Sequence, residues 1–200
     1  MLPVFYTNPG ALAIFTAACL IWILPESIGM PRQMARVARR TELIQDRGSL
    51  IILLGLQWTG LALDFLLAFL LPAAGFSWQR PLIFGLGVLL ILLGTALRWV
   101  AIRTLGRYFT RDVAVSAGQP IVQNGLYRFI RHPAYTGTFL TMLGVGLAVG
   151  NWAGLVVLLL CVFSGHFYRV KIEEQALIRT LGQPYLDYMR RTRRFVPMLF

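Results

Sequence analysis

The residues from Thr136 to Phe167 form an apolar stretch that contains no Asp, Glu, Lys or Arg. It is broken only by Gly150-Asn151, a pair of residue types that favour turns. Inside a lipid bilayer the backbone must satisfy its own hydrogen bonds, so an apolar stretch of this kind folds as helices. The sequence therefore predicts a hairpin of two membrane helices. The two ends away from the turn would lie at the same membrane face.

The rest of the chain is also rich in apolar segments. Of its 200 residues, 57% are hydrophobic and 14% are charged, whereas soluble domains carry about 25% charged residues. About 20 apolar residues are enough to cross the hydrocarbon core. We expect an all-α integral membrane protein that forms one domain over residues 1–200, with about five transmembrane helices. These five apolar segments are 10–28, 48–71, 82–102, 136–149 and 152–167.

The basic residues predict how the chain is oriented. The net charge is +11, and all of the 19 Lys and Arg residues except Arg80 fall in the segments 30–47, 98–131 and 169–194. Because cytoplasmic loops carry an excess of Lys and Arg, we expect an outer N-terminus and a cytoplasmic C-terminus, as five spans require. Such loops attract the headgroups of anionic membrane lipids, so the charge needs no nucleic-acid partner. The chain has one Lys and eighteen Arg, which suggests a high-GC bacterial genome. We therefore expect the protein in the bacterial inner membrane.

The first charged motif is Arg131-His132-Pro133-Ala134-Tyr135, at one end of the hairpin. Pro133 suits the first position of a helix, and the residue before a proline is restricted to non-helical geometry. A helix is therefore expected to begin here, and its unpaired amides would favour a carboxylate or a phosphate. The alternative is that Arg131 and Tyr135 only hold the helix at the membrane interface.

The second charged motif lies at the other end of the hairpin. His166, Arg169 and Glu173 are spaced by three and four residues, so they share one face of a helix, and Glu174 lies about 100° away. An isolated pair of acids is more often a solvated surface with salt bridges. Beside a helix start, however, the two Glu residues could bind an ammonium group while the helix amides bind a carboxylate. The two motifs together would then bind a zwitterion.

Other polar residues lie within the apolar segments. Asp64 is inside the second span, and an acid within a membrane is a functional candidate by default. The alternative is a protonated Asp64 that is hydrogen-bonded between helices. Glu26, Arg98 and His166 fall near the inner ends of their spans. They could line the site for a substrate or only join helices.

A series of short motifs in the C-terminal half resembles the isoprenylcysteine carboxyl methyltransferase family. The motifs are Gln119-Pro120-Ile121-Val122, Gly125-Leu126-Tyr127, Arg131-His132-Pro133-Ala134-Tyr135-x-Gly137, Arg169-x-x-x-Glu173-Glu174 and Leu181-Gly182-x-x-Tyr185-x-x-Tyr188. The resemblance implies S-adenosylmethionine as cofactor, a cytoplasmic cofactor pocket beside the C-terminal helical hairpin, and a lipid-like acceptor that enters from the bilayer. Residues 1–102 would then hold three spans, and 103–200 the cofactor-binding loop, the hairpin and the tail helices. Gln119 and Leu126 replace the His and Pro that are frequent in the family.

The resemblance and the spacing together yield a set of candidate site residues. Arg169 and Glu173 are the candidate catalytic residues, and Arg169 and His166 are the candidates for binding the acceptor. No metal site is expected. The candidates for binding the cofactor are Gln119, Pro120, Ile121, Val122, Tyr127, His132, Pro133, Ala134, Tyr135, Glu173 and Glu174.

The expected activity is carboxyl O-methylation of an isoprenylcysteine-like or isoprenoid acid. Methyl transfer is an in-line displacement, so the protein mainly aligns the two reactants and excludes water. Arg169 could bind the acceptor carboxylate through two parallel hydrogen bonds, and the ring of Tyr135 or Tyr127 could face the sulfonium.

Three alternatives stay open. The acceptor could be the amine of a phosphatidylethanolamine-like phospholipid, which would need a general base such as Glu173, His166 or His132. The chain could have a sterol-reductase-like fold that uses a nicotinamide cofactor, although it is short of spans for that fold. It could also be a small membrane transporter or an assembly factor without enzymatic activity.

Overall fold

The computed structural model describes residues 2–37, 43–44, 46–110, 113–115 and 118–195. Within these ranges the chain is almost entirely helical, so the predicted all-α class is confirmed. Strands β1 (Leu43–Ile44) and β2 (Ala114–Val115) form one short antiparallel pair. The helices are α1 (Val4–Thr7), α2 (Pro9–Val37), α3 (Ser49–Leu70), α4 (Arg80–Leu105), α5 (Pro133–Val149), α6 (Trp152–Leu181) and α7 (Gln183–Arg191).

Three of the described helical segments are long and apolar enough to cross a membrane: Ser49–Leu70, Arg80–Tyr108 and Trp152–Leu181. The chain is an integral membrane protein, as predicted. The apolar helices Pro9–Pro25 and Pro133–Val149 are shorter, and at ~1.5 Å per residue the second spans only about 25 Å. The expected count of five spans stays a prediction, and so does the single-domain organisation.

The predicted C-terminal hairpin is confirmed, with its turn at Gly150 and Asn151. Gly150 ends α5 in the left-handed region (φ 81°), and the Asn151 side chain accepts a hydrogen bond from the Gly154 amide at 3.0 Å. The same side chain donates to the backbone oxygens of Leu67 and Leu71 at 3.3 and 2.9 Å. The turn is therefore fastened to the end of α3.

The first helix differs from its expected extent. The apolar pattern predicts a segment that ends near residue 28, but α2 continues past Pro25 to Val37. The added residues include Gly29 and Pro31, the residue types with the lowest helix propensity, so neither hydropathy nor local propensity explains why the helix continues.

Helices α4 and α5 run antiparallel with their backbones in close contact at two pairs of glycines. A Cβ atom on Gly94 would lie 2.6 Å from the Gly137 oxygen, and one on Gly87 would lie 2.6 Å from the Gly144 oxygen. Small residues at such contacts let membrane helices approach closely and pack well without a hydrophobic driving force. This packing holds the beginning of α5 against the C-terminal half of α4.

Helices α3 and α6 form the second closely packed pair. A Cβ atom on Gly165 would lie 3.3 Å from the Leu53 Cα atom, and one on Gly60 would lie 3.3 Å from the Leu158 Cα atom. The N-terminal end of α3 therefore lies beside the C-terminal half of α6. That half carries Arg169, Glu173 and Glu174.

Candidate active site

A pocket lies between the end of α4, the described residues of the segments 106–110, 113–115 and 118–122, the beginning of α5, and helices α6 and α7. Its empty space, including the open mouth, is about 920 Å³. Aromatic, apolar and charged side chains share its wall. The lining residues are Leu105, Tyr108, Phe109, Thr110, Val113, Val115, Gln119, Pro120, Ile121, Val122, Tyr127, Arg131, His132, Ala134, Tyr135, Arg169, Glu173, Leu177, Leu181, Tyr185 and Tyr188.

Most of the candidate site residues lie on this wall. Three do not: Pro133, Glu174 and His166. Pro133 is buried at the first position of α5, as predicted. The candidates that line the pocket are Gln119, Pro120, Ile121, Val122, Tyr127, His132, Ala134, Tyr135, Arg169 and Glu173.

Three of these side chains form one hydrogen-bonded chain. The Arg169 Nε donates to the Tyr135 hydroxyl at 3.0 Å, and that hydroxyl donates to the Glu173 carboxylate at 2.8 Å. Arg169 and Glu173 are one turn apart on α6, and Tyr135 reaches them from the first turn of α5. The structure thus brings together the two candidate catalytic residues and one candidate cofactor ligand.

Asp46 is a further member of this cluster, and the sequence reading missed it. Its Oδ1 atom accepts hydrogen bonds from the Arg169 Nη1 at 2.6 Å and the Ser49 Oγ at 2.8 Å, and the Leu50 amide donates to its Oδ2 at 3.2 Å. The Arg169 Nη1 also donates to the Ser49 Oγ at 2.9 Å. We call Asp46, Ser49, Tyr135, Arg169 and Glu173 the Arg169 cluster.

The surroundings of Asp46 favour its charged form. Burial by itself raises the pKa of the Asp46 carboxyl, but the hydrogen bonds from Ser49, Leu50 and Arg169 and the positive charge of Arg169 outweigh it. The pKa of Asp46 is therefore below its usual value. Its position three residues before Ser49, at the start of an apolar span, could have indicated a helix-capping acid. It could not have indicated a partner 123 residues away.

Glu174 has a different environment from its neighbour. Its carboxylate accepts from the Arg131 Nε at 2.9 Å and from the Arg194 Nη2 at 2.8 Å, and the His132 Nε2 lies 3.3 Å away. The Glu174 side chain is only 4% exposed, compared with 31% for Glu173. We call Arg131, His132, Glu174 and Arg194 the Glu174 cluster.

The Glu174 cluster holds the C-terminal segment against the beginning of α5. Arg131 also donates to the Met189 oxygen at 3.0 Å. The backbone amides of Arg131 and His132 donate to the oxygens of Arg193 and Arg194 at 2.7 and 3.0 Å. The amides that were expected to bind a ligand carboxylate belong to the first turn of α5, where those of Tyr135 and Thr136 donate to the His132 oxygen, both at 3.1 Å. The zwitterion hypothesis stays a prediction, and of its two acids Glu173 lines the pocket whereas Glu174 does not.

His166 is buried behind the pocket wall. Its Nδ1 lies 2.8 Å from the Val162 oxygen, and its ring packs against the rings of Tyr135 and Phe139, at centroid distances of 5.2 and 5.0 Å. It therefore supports the ring of Tyr135 from the side opposite to solvent. Its predicted role in binding the acceptor stays a prediction.

The remaining polar candidates are separate from the pocket wall. The Arg98 Nη1 donates to the Ala134 oxygen and the Thr138 hydroxyl at 3.3 and 3.2 Å, which joins α4 to α5. Asp64 is fully buried beside Gly154, and its carboxylate oxygens have no hydrogen-bond partner within the described ranges. The side chain of Glu26 lies outside the described residues.

Tyrosines form the wall opposite the charged residues. The Tyr188 hydroxyl donates to the backbone carbonyl oxygen of Tyr127 at 2.7 Å. This hydrogen bond connects α7 to the loop before α5. Burial raises the pKa of Tyr188 to about 12, and it raises the pKa values of Tyr127 and Tyr185 as well. This wall is therefore aromatic and uncharged near neutral pH.

The fold and the pocket define a class: integral membrane proteins in which a helical hairpin and the loop before it enclose a polar and aromatic pocket. Residues 87–179 match the model of the isoprenylcysteine carboxyl methyltransferase (ICMT) family. This match covers slightly less than half of the chain, and the resemblance predicted from the C-terminal motifs is confirmed.

Curated relatives are similar to more than half of the chain. The protein-S-isoprenylcysteine O-methyltransferase of Saccharomyces cerevisiae is 29% identical over 116 residues, which cover 57% of this chain and 48% of the yeast protein. The enzyme of the same name from Rattus norvegicus is 34% identical over 115 residues, which cover 56% of this chain and 40% of the rat protein. The chain thus spans about half the length of the curated relatives it matches.

A solved structure extends the likeness to the fold. It is described as the eukaryotic intramembrane Ras methyltransferase ICMT (isoprenylcysteine carboxyl methyltransferase), and it superposes with a TM-score of 0.64 and 24% sequence identity. The superposition covers 94% of this chain and 67% of that one. The N-terminal helices therefore share this architecture too, although they lie outside the residues that match the family model.

Proposed function

We propose that the protein is an S-adenosylmethionine-dependent methyltransferase that forms the methyl ester of an isoprenylcysteine-like or isoprenoid acid at the membrane. The observation that carries this proposal is the hydrogen-bonded chain from Arg169 through Tyr135 to Glu173 on the pocket wall. These residues belong to the motifs that resemble the family. The names of the curated relatives support the same reaction.

The residues of the pocket fit the proposed cofactor. S-adenosylmethionine carries an ammonium, a sulfonium and an adenine ring, which suit a carboxylate, aromatic faces and apolar side chains respectively. Glu173 supplies the carboxylate, and when bound the cofactor supplies an electrophilic methyl group. We assign its binding to the candidates on the wall, namely Gln119, Pro120, Ile121, Val122, Tyr127, His132, Ala134, Tyr135 and Glu173.

Two of the predicted cofactor ligands would act indirectly. Pro133 starts α5 and so sets the position of Ala134 and Tyr135. Glu174 lies beside His132 and holds Arg131, which fixes the end of the loop that carries the wall. Neither side chain needs to touch the cofactor to matter for its binding.

Arg169 is the residue that we assign to the acceptor. A carboxylic acid is already ionised at pH 7, so its methylation needs orientation and exclusion of water rather than a general base. The guanidinium of Arg169 lies on the wall in a largely buried position, paired with Asp46, and from there it would donate a charge-assisted hydrogen bond to the acceptor carboxylate. Together with its Tyr135 hydrogen bond, this would direct the acceptor toward the aromatic part of the pocket.

The orientation of the protein follows from the same proposal. The loop before α5 and the tail after α6 contribute to the pocket wall and carry eight of the 19 basic residues. The positive-inside rule places such segments in the cytoplasm, where the soluble cofactor would be available. The lipid-like acceptor would enter from the bilayer.

The test is a labelling experiment with the purified protein in lipid nanodiscs. It is incubated with methyl-labelled S-adenosylmethionine and an N-acylated S-prenylcysteine, and in parallel with host lipids. A labelled, base-labile product is the expected methyl ester. A base-stable methylamine would instead indicate the phospholipid N-methyltransferase, and failure to bind the labelled cofactor would favour a transporter or an assembly factor.

A further inference from the structure

The ion pair of Asp46 with Arg169 joins two distant parts of the chain. Asp46 lies in the N-terminal half, outside residues 87–179 that match the family model. Both residues are buried, with exposures of 8% and 4%. A buried ion pair recovers its desolvation cost only with good geometry and further hydrogen bonds. Asp46 accepts such further hydrogen bonds, so the ion pair is a stable structural element of the site.

The Asp46 carboxylate is fixed by α3 independently of Arg169. Its Oδ2 accepts from the Leu50 amide at 3.2 Å, and its Oδ1 accepts from the Ser49 hydroxyl at 2.8 Å. These groups belong to the first turn of α3, which would otherwise have unpaired amides. Because α3 packs closely against α6, the carboxylate has a defined position relative to the side chains of α6.

This fixed carboxylate decides where the Arg169 guanidinium points. Arg169 and Glu173 are four residues apart on one helix, a spacing at which opposite charges pair directly. In the structure, Arg169 instead donates from Nη1 to Asp46 and from Nε to Tyr135. The Glu173 carboxylate is then bound by the Tyr135 hydroxyl at 2.8 Å. Asp46 therefore draws Arg169 away from its nearest acid on the same helix.

We propose that Asp46 is a positioning residue for the pocket. It holds Arg169 in the orientation that serves the acceptor, and it leaves Glu173 available on the wall. The kinetic part of this inference depends on the proposed function, whereas the orientation of Arg169 does not. Asp46 itself touches neither reactant.

The decisive variant is Asp46→Asn. Asparagine keeps the shape and removes the negative charge, and its one side-chain oxygen can accept either from Ser49, in place of Oδ1, or from Leu50, in place of Oδ2. Since a displacement of about 1 Å can cost on the order of 100-fold in rate, we expect kcat to fall about 10- to 100-fold. The KM for the cofactor should stay within about threefold, because the groups assigned to it are unchanged.

A matched control is Asp187→Asn. Asp187 makes an ion pair with Arg190 at 3.4 Å, but its side chain is 44% exposed and it does not line the pocket. We expect its kcat to equal that of the unchanged protein, since exposed pairs contribute little. An equal loss in both Asp→Asn variants would mean that the effect is not specific to Asp46.

A second readout needs no enzymatic activity. The Arg169 Nε–H resonance is observed by nuclear magnetic resonance in detergent micelles and assigned with Arg169→Lys. It should be separate from the resonances of exposed arginines, and it should move toward them in Asp46→Asn. If the unchanged protein transfers no methyl group, the proposed function fails, and this resonance still tests the orientation.

If Asp46→Asn does not fold, Ser49→Ala provides a second test of the same inference. It removes the hydroxyl that contacts both Asp46 and Arg169 and retains every charge. We expect a smaller loss of kcat, about three- to tenfold, because one neutral hydrogen-bonding group is lost, and a partial shift of the Arg169 resonance. Unchanged kcat with an unmoved Arg169 resonance, in either variant, would overturn the inference.

Discussion

Glu173 of the Arg169 cluster and Glu174 of the Glu174 cluster lie side by side on α6 but have opposite relations to the pocket. In the first, Glu173 is 31% exposed and faces the pocket; in the second, Glu174 is 4% exposed and faces the C-terminal segment. The two acids are consecutive in the chain, and a helix turns about 100° between them. Two adjacent residues of the same type therefore contact different parts of the molecule.

This difference indicates a role for Glu173 in the pocket and a structural role for Glu174. The Glu174 carboxylate has Arg131 and Arg194 as charged partners and no place on the wall, so its contacts stabilise the position of α7 and the tail. The Glu173 carboxylate has the Tyr135 hydroxyl as its close partner and an exposed side, so it can also bind a ligand. Variants in the two clusters should therefore change different measurements.

The largest change in activity is expected for Arg169→Ala. This variant removes the cation assigned to the acceptor carboxylate and leaves Asp46 without its ion pair, so we expect methyl transfer to fall about 1000-fold or more. Cofactor binding, measured by calorimetry, should largely survive. Arg179→Ala is the control, because Arg179 is exposed on the same helix. Normal turnover by Arg169→Ala would remove Arg169 from the mechanism.

Replacing each Glu by Gln tests the comparison directly. Glu174→Gln leaves Arg131 without its buried partner, and breaking such a pair costs about 3 to 5 kcal/mol of stability. Glu173→Gln removes a partly exposed charge, so the free energy of unfolding should change by less than about 1 kcal/mol while turnover falls. Thermal unfolding in detergent and methyl transfer are measured for both. Similar unfolding midpoints for both variants would contradict the structural role of Glu174 and its contrast with Glu173.

Tyr135→Phe is expected to have a moderate effect. The ring remains packed against His166, but the hydroxyl that links Arg169 to Glu173 is lost. A hydrogen bond of this kind contributes about 1 to 1.5 kcal/mol, or roughly five- to tenfold in rate. Steady-state kinetics provide the measurement, and Tyr6→Phe is an exposed control. Unchanged rates would show that the link has no role in turnover.

The smallest expected effect is the pH dependence contributed by Asp46. Its pKa is lower in the folded protein than in the unfolded chain, so its stabilisation is complete above the unfolded value of about 3.9 and is lost as the pH falls through the folded value. The stability difference between the unchanged protein and Asp46→Asn should thus be constant from pH 7 to about 5 and shrink below about 4. Unfolding at several pH values checks this, and a difference that grows on acidification would contradict it.

Much of the architecture could be predicted from local patterns. The uncharged runs predict the helices, Gly150-Asn151 predicts the turn of the hairpin, and Pro133 predicts the start of α5. Each signal acts within a few residues, since it depends on backbone geometry or on the hydrophobicity of one helix. The same signals could not show that α2 continues past Pro25, because Pro25, Gly29 and Pro31 are residue types that disfavour a helix interior.

The site was predictable where the motifs supply side chains from neighbouring turns. Arg169, Tyr135 and Glu173 were named from their spacing and from the resemblance, and they form one hydrogen-bonded chain. Asp46 was not named, because its contact depends on the packing of α3 against α6. The tail was not expected at the beginning of α5 either, because nothing near Arg193 indicates which amides its carbonyl group would meet.

The sequence by itself determined that this chain is a helical membrane protein and which residues of its C-terminal half resemble a methyltransferase site. Hydrophobicity and local motifs carry that information. Only the tertiary structure decided that Glu173 faces the pocket while Glu174 holds the tail, and that Asp46 sets the direction of Arg169. The physical reason is that a charged side chain, once buried, takes its function from the partners that packing brings to it, and those partners are far away in sequence.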